Sequence, residues 1–163
     1  LWDMNIPYVK AVAEADNALS ELVGAGKLDV VVSTDMDFLL SGVPRLWVPF
    51  RNRNDGVEEI LLSKVLQEET MTLDMFRDAG ILCGVEAFRG KVSIQSSLAF
   101  SWIRYYKSIE GLLSSTIKEV QFEHLKDNGT LQKIRDSFKP TARWLQAIRP
   151  DHYERFAAFI DGL

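Results

Sequence analysis

The stretch DVVVSTDMDFLLSG, Asp29 to Gly42, carries Asp35 and Asp37 one residue apart, directly after an apolar run. Two like charges that close repel, and burial adds to the cost. The pair is therefore either solvated and used in capping, or offset by a cation. A second pair, Glu14 and Asp16, has the same spacing, and a further acid, Glu86, follows the segment GILCG. Five carboxylates thus come from three separate segments. They have no companion His or Cys set, because His124 and His152 lie far downstream. An all-oxygen donor set favours hard cations such as Mg²⁺ or Mn²⁺ over zinc.

Each acid also has a plain structural role open to it. Glu14 and Asp16 would favour the positive end of a helix, at ~0.3–1 kcal/mol each. Asp35 could cap the turn over residues 36–40. Asp37 then has no capping role left. Glu86 taken alone reads as a solvated surface acid. The set of five says more than any one member.

The elements that must position these residues are legible in outline. IPYVKA alternates as a short strand does, with Pro7 tolerated near its start. VAEADNALSELVGAGK reads as a helix, with Val12, Ala15, Leu19, Leu22 and Val23 on one face and Gly24 and Gly26 stopping it. LDVVVS is a short apolar run that suits a strand covered on both faces, as in a parallel sheet. DMDFLL reads as one helical turn, RLWVPF as another strand and NRNDG as an exposed turn. Strand, helix, strand is a βαβ unit, and sites in open parallel sheets form outside the carboxyl ends of the strands. Both acidic pairs are expected at that edge.

From Glu58 onward the pattern reads as mostly helical. Thr72 is the expected N-cap of TLDMFRDAGILCG, with Leu73, Phe76, Ile81 and Leu82 apolar. IQSSLAFSWIRYYKS and SIEGLLSS are two further helices. FEHLKDNG, TLQKIRDSF, PTARWLQAI and PDHYERFAAFIDGL supply more, with Pro140 and Pro150 at first-turn positions. The expected organisation is α/β over residues 1–57, a helical region over 58–115 and further helices over 116–163.

Bulk properties bound the function. The chain has 163 residues, 47% hydrophobic and 26% charged, which excludes a disordered or fibrous class. Its net charge of −4 argues against a generic basic nucleic-acid coat. A metal-dependent nucleic-acid enzyme stays open, since such a site concentrates carboxylates. The lone cysteine, Cys83, cannot form an intrachain disulfide and fits a reducing intracellular setting. No apolar run reaches the roughly 18 residues that span a bilayer, so no membrane partner is expected. The chain opens on Leu1 and reads as a fragment.

IPYVKAVAEADNAL followed by VVSTDMDFLLSG resembles the internal nuclease region of the flap endonuclease and XPG family. That family shows a strand ending in Ile-Pro-Tyr, an Ala-Glu-Ala-Glu/Asp motif, and Thr-x-Asp-x-Asp before a short helix. The resemblance continues through MFRDAGILCGVEAF, where the family opens a helix–two-turn–helix element, and AFSWIRYYKSIEGLL. It implies a partial PIN-like parallel-sheet nuclease core followed by an all-α helix–two-turn–helix region. It also implies metal-dependent cleavage at junctions of double- and single-stranded nucleic acid, with two Mg²⁺ ions, for which Mn²⁺ can substitute. Glu14 and Asp16 match the first acidic pair of the family's metal site, Asp35 and Asp37 the second, and Glu86 stands where the family usually has Asp.

Three departures accompany the match. The family's N-terminal segment, which supplies further aspartates, is expected to lie outside this sequence, and that segment or a partner chain is expected to complete the site. Glu86 is one methylene longer than Asp. The family's Gly-Ile-Gly hairpin is replaced by Ser93, Ile94 and Gln95, and the basic residues after it by Ser97 and Leu98. Arg89, Lys91, Ser93 and Gln95 are the candidate phosphate contacts, with Arg104 and Lys107 as further cations; the four cations read first as solvated surface charges. Trp102 shares helix spacing with Leu98 and Ile109 and reads as core. Tyr105 and Tyr106 point to different faces, so at most one is exposed.

The leading expectation is a structure-specific 5′ nuclease acting on branched or flapped DNA in replication or repair, intracellular and, in a eukaryote, nuclear. RNA is a variant substrate. A different class of reading is an impaired nuclease-like module that serves as a nucleic-acid or protein scaffold. A third is an unrelated α/β domain whose acids are caps.

Overall fold

A computed structural model of the chain describes residues 11, 14–50, 56–85, 94–115 and 128–139. The expected strand IPYVKA, apart from Ala11, lies outside these residues. So do the body of the NRNDG turn, FEHLKD, the two last expected helices, Pro140 and Pro150.

Helix α1, Ala15–Gly24, buries Ala18, Leu22 and Val23, while Leu19 packs on the core from its margin. Strand β1, Val31–Val32, pairs in parallel with β2, Arg45–Pro49, placing Val31 opposite Leu46. The short helix α2, Asp37–Leu40, makes the crossover between them. The expected burial of β1 on both faces does not hold: Val31 is 2% exposed, but Val32 is 58% exposed.

The helical reading from Glu58 also needs correction. Val57–Leu61 is a strand, β3, paired antiparallel with β2. Its glutamates are weak strand formers, but cross-strand partners override that preference. Glu59 stands opposite Trp47, whose Nε1 donates to Glu59 Oε1 at 3.0 Å. Arg45 adds an ion pair to the same carboxylate at 3.2 Å. The Trp47 hydrogen bond, followed by Arg45, holds the Glu59 carboxyl below its usual range.

Helix α3, Leu62–Glu69, leads to α4, Leu73–Gly84, around which the helical half is built. Thr72 caps α4 as expected, its Oγ1 accepting from the Met75 amide at 3.2 Å. Phe76, Ile81 and Leu82 are buried; Leu73 is only partly so. Cys83 is half-buried, and that burial pushes its thiol pKa up.

Helix α5, Ser96–Tyr106, packs Ala99 and Ile103 against α4. Leu98 is exposed, so the buried face is offset from the one expected; Trp102 packs at its margin. Tyr105 is 78% exposed while Tyr106 is half-buried, as the divergent faces required.

Helices α6, Ile109–Leu113, and α7, Asn128–Ser137, close the bundle with Ile109, Leu112, Leu131 and Ile134 buried. These residues share one apolar cluster with Val31, Leu46 and the α2 residues Phe38, Leu39 and Leu40. Sheet and helices thus pack on a common core. Among the described residues no helix is long and apolar enough to cross a membrane.

The turn from α5 into α6 is tight. A Cβ at Gly111 would lie 2.2 Å from the Tyr106 carbonyl oxygen, a backbone atom that cannot swing away. Gly111→Ala is therefore expected to cost about 1–3 kcal/mol, read as a lowered thermal midpoint. A variant that melts with the wild type would refute so close an approach.

Candidate metal centre and nucleic-acid surface

The chain leaves β1 through two successive side-chain turns. The Ser33 amide donates to the Trp47 carbonyl at 3.0 Å, the last bond toward β2. The Asp35 amide then donates to Ser33 Oγ at 3.0 Å. The Asp37 amide in turn donates to Asp35 Oδ1 at 2.9 Å. Asp35 therefore does close the turn into α2, but with one carboxylate oxygen only. Asp37 enters as the first residue of α2. Side-chain turns of this kind fix the backbone where a strand ends.

The first pair arrives from α1. Glu14 is the N-cap residue, extended at φ −69° and ψ 125°, and its side chain makes no cap hydrogen bond. Asp16 lies in the first turn and is exposed.

Asp16, Asp35 and Asp37 line one cleft of about 150 Å³, together with Asn17, Phe38 and Ser41. Val85, from the end of α4, and Ser137 and Phe138, from the end of α7, complete its lining. Glu14 is exposed and is not part of that lining. Gly84, at φ 97°, turns the chain out of α4 and brings Val85 to the cleft; a side chain at that backbone angle would be strained. Glu86 itself lies outside the described residues, as do Arg89, Lys91 and Ser93.

Among the described residues, three carboxylates line this cleft and no Lys or Arg does. Such a cleft attracts cations and repels phosphate until a cation is bound. Among the described residues no three acids lie close enough to ligate one ion directly. The donor set still fits hydrated Mg²⁺, which keeps several waters and is usually held by one or two carboxylates. The cleft has room for those waters.

The expected nucleic-acid surface is only partly in view. Gln95 is exposed at the start of α5, where its carbonyl accepts from the Leu98 and Ala99 amides, both at 3.0 Å. The preceding residue, Ile94, is tied to α4 by its amide, which donates to the Leu82 carbonyl at 3.0 Å. Arg104 is committed elsewhere: its guanidinium pairs with the Glu69 carboxylate, and its Nε donates to the Glu69 carbonyl at 3.2 Å. Lys107 is exposed at the end of α5, at φ 71°.

Residues 5–86 match the sequence profile of the XPG I-region. Flap endonuclease 1-2 of Paramecium tetraurelia is 33% identical over 125 residues, 77% of this chain and 32% of the relative. The chain belongs to the flap endonuclease and XPG family. Its fold agrees with this family's solved members. It resembles the flap endonuclease-1 of Methanococcus jannaschii with a TM-score of 0.64 and 23% identity, over 98% of this chain and 55% of that one. The catalytic core of Rad2, solved with a DNA substrate, gives a TM-score of 0.65 and 14% identity, over 82% of this chain and 49% of that one. This family member spans about a third of the length of the curated relatives it matches.

A larger cleft, about 340 Å³, lies along α4 and includes Asp74, Arg77, Asp78, Lys107, Glu110 and Arg135. Its acids are already paired with Arg77 or Arg135. It is an internal charge node of this flap endonuclease relative rather than a place for a metal. Sequence reasoning missed Arg77, Asp78 and Arg135. The available signal was a charged pair, Arg77–Asp78, set inside the otherwise apolar stretch of α4 from Met75 to Leu82.

Proposed function

We propose that this chain is part of a divalent-metal-dependent, structure-specific phosphodiesterase that cuts DNA at junctions of single and double strands. The observation that carries the reading is the meeting of Asp16 with Asp35 and Asp37 at one acidic cleft beyond the end of β1. These three, with Glu14 and Glu86, would hold two Mg²⁺ ions, or Mn²⁺ in their place. Bound there, such ions supply a water of lowered pKa and neutralise charge on the phosphate and leaving oxygen.

The protein's own residues do the rest. Asp35 uses Oδ1 to fix the turn and keeps its other oxygen for the cleft. Phe38 and Phe138 give the cleft apolar lining, which limits water around the charges. Arg89, Lys91, Ser93 and Gln95 would hold the duplex phosphates. The remaining length of the relatives leaves room for the N-terminal segment that would complete the site. In a eukaryotic cell the working compartment would be the nucleus.

A second reading, a nuclease-like scaffold, draws support from Ser93 and Gln95 in the hairpin and from the commitment of Arg104 to Glu69. Cleavage assays on the full-length protein separate the two. With Mg²⁺ or Mn²⁺, a 5′-flapped duplex is expected to be cut and the same duplex without a flap spared, with chelator stopping the reaction. Equal or faster cutting of a single-stranded RNA would move the substrate to RNA. Binding of flapped DNA without any cutting, in either metal, would favour the scaffold.

A further inference from the structure

We propose that Arg77 is a positioning residue for the acidic pair Asp35 and Asp37, an inference that rests on reading their cleft as a metal site. Arg77 sits in α4, far from the pair in sequence, and is 8% exposed. Its Nε donates to the carbonyl of Leu40 at 2.7 Å. Leu40 is the last residue of α2, and Asp37 is the first.

The hydrogen bonds around α2 give this contact its weight. The Asp37, Phe38 and Leu39 carbonyls accept from the amides of Ser41, Val43 and Gly42, at 3.0, 3.1 and 3.1 Å. The Leu40 carbonyl has the Arg77 guanidinium instead. Helix ends leave such carbonyls without an intrahelical partner, and a buried one needs a donor. Asp74 steadies the guanidinium from the other side, its Oδ1 accepting from Nη1 at 3.1 Å.

Packing repeats the same connection. A Cβ at Gly80 would lie 2.7 Å from both Leu40 methyl carbons. A Cβ at Gly42, just past α2, would lie 3.3 Å from Leu73 Cδ2 and 3.6 Å from Arg77 Nη2. Leu73, Arg77 and Gly80 fall at i, i+4 and i+7, on one face of α4. That face cradles Leu40 to Gly42.

A four-residue helix has no stability of its own, so what it docks on sets its direction. The Asp35 turn is bonded directly to the first residue of α2. Tilting α2 about its far end therefore moves both carboxylates together. Arg77 reaches neither substrate nor metal; it acts through the Leu40 carbonyl.

The test uses Mn²⁺ binding and amide exchange on the full-length protein. Arg77→Met keeps the apolar stem and removes the donors. It is expected to weaken Mn²⁺ binding about tenfold, the loss typical of removing an outer-shell partner, and to speed exchange at the Ser41, Gly42 and Val43 amides. Arg77→Lys, which restores one donor, is expected to recover most of both. Ile103→Val, a trim in α5 at a fully buried site, controls for general loosening and should leave both readouts unchanged. If Arg77→Met does not fold, Gly80→Ala presses on Leu40 from the same face and should shift Mn²⁺ affinity likewise. Wild-type affinity in the folded variant overturns the role of Arg77 alone. A wild-type protein that binds no Mn²⁺ overturns the metal reading, and this inference with it.

Discussion

Asp37→Ala is expected to lower cleavage of a flapped duplex by about 10²–10³-fold, the loss that follows removal of one preorganised electrostatic contributor. Affinity for the same DNA, measured without divalent metal, should change little. The carboxylate faces a cleft that already holds Asp16 and Asp35. Removing Asp37 takes one of the three carboxylates away from a bound cation. The gain in thermal midpoint on adding Mg²⁺ should therefore shrink, because that gain tracks binding to the native state. The two melts separate a metal ligand from a capping residue. A cap lost to alanine lowers stability in both conditions, typically by about 1 kcal/mol. Asp35 would show part of that loss, since its Oδ1 holds the Asp37 amide. Wild-type cutting by Asp37→Ala would remove it from the chemistry.

The route from sequence to this cleft was short for some elements and closed for others. Asp35 and Asp37 were legible because Ser33, Asp35 and Asp37 form local turns, and local bonds leave a local pattern. Thr72 was legible for the same reason. The meeting of Asp16 with that pair follows from the order α1, β1, α2 and the parallel pairing of β1 with β2. The β3 strand was not legible, because Glu58 and Glu59 are helix formers whose strand state depends on a partner ten or more residues away. The single covered face of β1 was missed because an apolar valine run looks alike with one covered face or two. Contacts such as Arg77 to Leu40, 37 residues apart, leave no periodic trace. Their only mark is a charge on an apolar helix face.

Arg135→Ala is expected to cost about 3–5 kcal/mol, the penalty for stripping the partner from a buried ion pair. Arg135 meets Asp78 through two bonds, Nε to Oδ1 at 2.8 Å and Nη2 to Oδ2 at 2.6 Å. The Asp78 side chain is only 3% exposed. Without Arg135, its carboxylate keeps the Ile109 amide, at 2.9 Å, as its remaining donor among the described residues. Replacing both partners with similar uncharged shapes, Asp78→Asn with Arg135→Met, should recover much of the loss, because no stranded charge then remains. The same arginine grips Glu110, with Nη2 to Oε2 at 2.8 Å, and chiefly through that hydrogen bonding lowers the Glu110 pKa from its ordinary 4.5 to about 2. A depressed carboxylate pKa adds stability above the unfolded value and loses it as pH falls through the folded one. Wild-type melts should therefore weaken between about pH 4.5 and pH 2, and Arg135→Ala should flatten that stretch of the curve. Glu110 is 49% exposed, so solvent keeps its share small, and the main cost of Arg135→Ala is the buried Asp78 carboxylate left without its ion-pair partner. The consequence reaches the acidic cleft, because Ser137 and Phe138, two and three residues after Arg135, line it. Arg77 and Asp78 are neighbours on α4, and through them one helix holds two walls of the cleft: α2 by Arg77, and the end of α7 by Asp78 and Arg135. Loss of Arg135 should thus weaken Mn²⁺ binding as well as stability.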